Sequence, residues 1–142
     1  MKFVLFAGAA ALFFTSAASA DPITDRKDLM KERGAQMRVL APIAQGKAEF
    51  DAAAVLDALE KLDANAKATD VDALWPTGSD SGDTKSAPAI WSDMEGFKAA
   101  EKKFEDDVAA AVAAKPGDLA AFQAVFGPVA ANCGSCHQKY RL

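Results

Sequence analysis

The chain has 142 residues, the length of one domain of common size. Hydrophobic residues make up 51%, charged residues 25% and aromatic residues 8%. Alanine is plentiful while isoleucine, valine and tyrosine are scarce, which favours helices over sheet. A formal charge of −4 and a pI near 4.9 argue against nucleic acid as a partner, because phosphate neutralisation needs a basic surface. The one histidine rules out a multi-histidine metal site, and two cysteines rule out a disulfide-dense scaffold.

Residues 1–20, MKFVLFAGAAALFFTSAASA, read as a secretory leader. Lys2 gives a positive start, Phe3 to Phe14 an apolar core, and Ala18-Ser19-Ala20 a small-residue cleavage site. The run is shorter than the roughly 20 apolar residues of a membrane anchor. No later stretch looks long and apolar enough to span a bilayer, so no membrane insertion is expected of residues 21–142. Cleavage after Ala20 removes Lys2 and moves the net charge from −4 to −5. The expected destination is the periplasm, where thiols oxidise unless otherwise occupied.

Four amphipathic segments follow in residues 21–142. The first runs from about Ile23 to Ala44, with Ile23, Met30, Met37 and Ala44 seven apart, and Leu40 and Ile43 widening the stripe. Gly46 is its stop signal. The second begins after Asp51, a reasonable N-cap, and repeats Val55, Leu59, Leu62 and Ala66. From Thr69 to Pro88 proline, glycine, serine and aspartate break regular structure, and the segment is expected to pack through Leu74 and Trp75. The third helix, Ala89 to Ala114, shows Ile90, Met94, Phe97, Phe104, Val108 and Ala111 on one side. Its charge run Glu101 to Asp107 reads as a solvated face. The fourth starts after Asp118 and carries Leu119, Phe122, Phe126, Val129, Cys133, Cys136 and Tyr140. Four such stripes predict an all-α fold, an antiparallel up-down-up-down four-helix bundle, in one domain over 21–142.

Residues 133–137 read Cys-Gly-Ser-Cys-His. A C-x-x-C-H string is the attachment signal for c-type haem. Two thiols three residues apart share one side of a helical turn and can form thioethers with the two vinyl groups of a porphyrin. His137, next in sequence, can then present an imidazole to the iron. Other readings are weaker. A thioredoxin-like pair belongs beside a βαβ unit, zinc lacks a fourth ligand, and a disulfide closing so small a loop stabilises little.

With this string at the end of a four-helix chain, residues 21–142 resemble the class II c-type cytochromes, the cytochrome c′ family. Met30 to Leu40, Leu74 to Ser79, Ala89-Ile-Trp91 and Cys133-x-x-Cys-His-x-x-Tyr-Arg141 carry the similarity. The resemblance implies one haem c, and it is strongest to the low-spin cytochromes c-556, where a methionine near the start of the first helix fills the sixth position. That implies Met30 as distal ligand, with Met37 and Met94 as weaker candidates. Any of the three could simply be a core methionine. Gly34, one turn from Met30, costs about 1 kcal/mol in a helix, understandable if a flat ring lies there. Arg33 is a candidate for a haem propionate, and Arg141 for a propionate or the imidazole. Trp75, Trp91 and Tyr140 are expected to pack in the core or at the haem edge.

The expected function is a periplasmic electron carrier rather than an enzyme, a peroxidase lacking the distal histidine that His137 cannot also supply. The alternative is a five-coordinate protein binding NO or CO. Redox partner proteins are implied without being identified, and relatives in the c′ group are often dimers. The acidic surface suggests a partner with a basic patch.

Overall fold

A computed structural model of the chain describes residues 21–142; the expected leader, 1–20, lies outside the described residues. Six helices occur in the order α1 (Pro22–Ala44), α2 (Ala52–Lys67), α3 (Val71–Leu74), α4 (Ala89–Ser92), α5 (Met94–Ala114) and α6 (Leu119–Tyr140). The four long ones are the bundle predicted from the apolar spacing. Asparate-type caps start each of them where the sequence offers one. Asp51 accepts from the amides of Ala53 and Ala54, Asp118 accepts from Ala121, and Asp21 accepts from Ile23 and Thr24. Among the described residues the only β pairing is an isolated bridge between Ser86 and Arg141.

Two differences from the expected layout matter for the site. The third helix is not continuous, because Asp93 leaves helical geometry and its carboxylate caps the next segment at the Gly96 amide. The long connection is also partly built: α3 ends at Trp75, which is buried, while Leu74 beside it is half-buried.

The bundle core is made by α1, α2, α5 and α6. Leu40, Val55, Leu59, Leu62, Phe104, Val108, Phe122, Phe126 and Val129 form one buried cluster. A smaller cluster of Trp75, Ile90, Phe97 and Tyr140 sits where α3, α4 and the C-terminal end of α6 meet the bundle. Its rings contact edge to face, with centroids 4.8 Å apart for Trp75–Phe97 and 5.1 Å for Phe97–Tyr140. Glycine is required beside this cluster at residue 96, where a Cβ would come within 2.7 Å of the Tyr140 hydroxyl.

α6 corrects one expectation. It has 22 residues, and an 18-residue window within it has a mean hydropathy of 1.2, enough in length and apolarity for a spanning helix. The apolar residues have another use here, because Phe122, Phe126 and Val129 are buried in the bundle core.

Candidate haem site

Cys133, Cys136 and His137 lie on the last turns of α6, and the helix itself sets their spacing. Both cysteines are free thiols and half-buried. They face different neighbours. Cys133 packs against the large core cluster, with its Sγ 3.9 Å from the Val129 carbonyl oxygen, and Cys136 packs against the aromatic cluster. Burial pushes both thiols up, Cys136 to about 11, so they remain neutral rather than thiolate. At His137 partial desolvation, helped by the Arg141 charge, holds the imidazole below its usual range. A neutral imidazole offers the lone pair that a metal needs.

Cys136 and His137 open onto a cleft of about 710 Å3. Met30 from α1 and Trp75, Ile90, Phe97 and Tyr140 of the aromatic cluster line it as well. That volume falls in the range of about 300–1,000 Å3 usual for cofactor-sized ligands. Of the three methionine candidates, only Met30 reaches this cleft. Met37 packs against the large core cluster and lines a separate groove with Phe126, Gly127 and Ala130. Met94 packs against the aromatic cluster without lining the cleft. At Gly34 an added Cβ would meet only the Arg38 guanidinium, at 3.6 Å, so packing of the chain on itself does not demand glycine there.

Of the two arginines expected near a propionate, Arg141 lines the cleft. Arg33 does not reach into the cleft. Its guanidinium pairs with Glu101 at 2.9 Å, donates to Asn65 Oδ1 at 2.8 Å and Thr69 Oγ1 at 2.9 Å, and lies 4.6 Å from the Phe104 ring centre. Nη1 also donates to Glu101, at 3.2 Å, so these bonds turn the guanidinium toward α2 and α5. Its partner corrects a second expectation: Glu101, placed on a solvated face, is only 9% exposed. Phe104 in the same run is also buried, while Lys102, Lys103 and Asp106 do face solvent.

Sequence reasoning passed over Arg26. It lines the cleft, is 3% exposed, and its guanidinium carbon lies 5.7 Å from the centres of both the Trp75 and Trp91 rings. Its terminal nitrogens donate to Ser79 Oγ at 3.0 Å and the Ser79 carbonyl at 2.9 Å. Its Nε is buried with no hydrogen-bond partner. An orphaned cationic donor in an apolar cleft fits an anionic group arriving from outside the chain. The available signal was helical spacing, since Arg26 lies one turn before Met30 on the same face.

The cleft therefore fits a haem: the Cys136 thiol with Cys133 one turn before it on α6, a neutral imidazole, a wall that includes Met30, Trp75, Ile90 and Phe97, and a buried cation. Fold and site together define a four-helix c-type cytochrome.

Comparison with known proteins agrees. The family described as Cytochrome C' matches residues 21–141. Cytochrome c-556 of Agrobacterium fabrum is 40% identical over 124 residues, covering 87% of this chain and 83% of that protein. The structure of cytochrome c′ from Rhodopseudomonas palustris gives a TM-score of 0.79 at 33% identity, over 87% of this chain and 97% of that one. A nitric oxide complex of a cytochrome c′ mutant from Alcaligenes xylosoxidans gives 0.74 at 32% identity, over 88% and 97%. The chain belongs to the cytochrome c′ family, whose members bind covalently attached haem c.

Proposed function

We propose that this protein is a periplasmic electron carrier with a six-coordinate haem c, and not an enzyme. Cys133 and Cys136 would hold the cofactor through two thioethers, and His137 and Met30 would supply the nitrogen and sulfur ligands of its iron. The haem supplies an iron that takes up and releases one electron. The supporting observation is that Met30 and His137, from α1 and α6, line the same cleft while Met37 does not. A thioether favours the reduced iron and raises the potential. Two protein ligands held by separate helices would leave little to rearrange as the electron moves. Arg26, rather than Arg33, would bind a propionate through its unpartnered Nε. Trp75, Phe97 and Tyr140 keep water from the ring.

Mass spectrometry of the secreted protein tests attachment and cleavage after Ala20 together. The mass should be that of residues 21–142 plus one haem. The ferric spectrum tests the ligands. Wild type should be low-spin with a methionine-to-iron charge-transfer band, and Met30→Ala should become high-spin and bind CO. Met37→Ala should keep the low-spin spectrum; a high-spin spectrum there would transfer the ligand role to Met37.

A second reading is favoured by one finding, the nitric oxide complex of the relative from Alcaligenes xylosoxidans. In that reading Met30 only fills the cleft and the iron takes NO or CO. A high-spin wild-type spectrum that shifts readily with CO would establish it.

A further inference from the structure

The charge of the whole chain and the charge around the cleft have opposite signs. The sequence contains 20 acidic side chains and, once Lys2 has left with the leader, 15 basic ones. Taken alone, that balance steers toward a basic partner. Five of the basic residues line the cleft: Arg26, Lys27, Lys31, Lys85 and Arg141. Only Asp28 and Asp83 oppose them there. Adding the two carboxylates of a haem still leaves the balance positive.

The basic rim is assembled from three parts of the chain. Lys27 and Lys31 stand one turn apart on α1. Lys85 belongs to the connection before α4, and Arg141 follows α6. The last two are held on one rim, because Ser86 pairs with Arg141 and the Leu142 amide donates to the Lys85 carbonyl at 2.9 Å. Lys27 meets Asp83 at 2.5 Å and Lys31 meets Asp28 at 3.1 Å. Both pairs are exposed, and such pairs give way easily to another anion.

At physiological ionic strength the screening length is about 8 Å. A molecule touching the cleft mouth therefore senses most the charges that line it, and these are mainly basic. We infer that the cleft mouth is the docking surface for a redox partner protein that presents an acidic patch. This rests on the electron-carrier reading. An anionic lipid surface has a similar charge, but it offers no electron acceptor against the cleft.

The test uses the haem-loaded protein, reduced and mixed rapidly with hexacyanoferrate(III) or with tris(phenanthroline)cobalt(III). Oxidation by the anionic complex should slow several-fold as salt rises from about 10 to about 200 mM, and oxidation by the cationic complex should quicken. The triple variant Lys27→Glu/Lys31→Glu/Lys85→Glu should reverse both trends. Lys47→Glu/Lys61→Glu/Lys67→Glu makes the same change in net charge away from the cleft and should leave both trends in place. At low salt, exchange should be faster with an acidic blue-copper protein than with a basic class I cytochrome c. Brisk exchange with both trends already reversed in wild type, or equal effects of the two triples, overturns the docking surface and spares the carrier. Rim-dependent sedimentation with phosphatidylglycerol vesicles, without any preference for the acidic protein, assigns the rim to lipid and overturns it as well. Exchange with neither complex removes the carrier reading, and the docking surface falls with it.

Discussion

The cluster around Leu59 and Phe122 and the cluster around Phe97 and Tyr140 are built from different materials. The first draws on all four long helices and is mostly aliphatic, and Leu40, Val55, Leu59, Leu62, Val108, Phe122 and Val129 in it are completely covered. The second is mainly aromatic and takes Trp75 and Ile90 from outside the long helices. Its neighbours Met30, Trp91, Met94 and Cys136 stay only partly buried. The contrast teaches a division of labour. Burial that the chain completes for itself supplies stability, and burial it leaves unfinished shapes a binding cleft.

The sharpest way to break the contrast is at Phe122. Phe122→Ala removes a fully buried ring that stacks on Phe126 at 5.1 Å, and should cost about 3–5 kcal/mol in denaturant unfolding of the haem-loaded protein. The ferric spectrum should not change; a change would mean the two clusters are one unit.

The Arg33–Glu101 pair tests the seam between them. Glu101→Gln leaves the half-buried guanidinium without its counter-charge and should cost about 3 kcal/mol by the same measurement. Replacing both, Arg33→Met with Glu101→Leu, should recover much of that loss, because no buried charge is then left alone. If the single and double variants are equally unstable, the pair contributes packing rather than charge.

The smallest effect should come from pH. Hydrogen bonds from Lys139 and Tyr140 hold the Asp93 carboxyl below its usual range. A depressed carboxylate adds stability that is fully present above the unfolded value, about pH 4, and is lost as pH falls through the folded value. The Tm of wild type should therefore drop more between pH 6 and pH 3 than that of Asp93→Asn. Equal drops would show that Asp93 serves only as a helix cap.

The four long helices were legible because apolar residues recur at three and four and because Asp51 and Asp118 are good caps. The attachment string was legible because its chemistry is local to one helical turn. What escaped the sequence reading depends on partners far along the chain. Glu101 was assigned to solvent by its charged neighbours, although it stands four after Phe97 and three before Phe104, on the buried stripe. Arg33 turns to Asn65 and Glu101 while Arg26 turns to Ser79 and the two tryptophans, and all of these partners lie far along the chain. The break before α5 was missed because one aspartate inside an apolar pattern looks like an exposed helical residue until its carboxylate is seen bonded to Gly96.

The pairing of residues 140–142 with 85–87 has a consequence for how the molecule comes apart. The Ala87 amide donates to the Tyr140 carbonyl at 2.9 Å and the Leu142 amide to the Lys85 carbonyl at 2.9 Å. These two bonds latch the longest irregular stretch among the described residues to the helix that bears the attachment string. Fraying at the tail therefore unfastens the connection as well, and Trp75, whose indole donates to Ser86 Oγ at 3.0 Å, loses its anchor in the same event. Loosening should begin at this corner while the aliphatic end of the bundle is still intact.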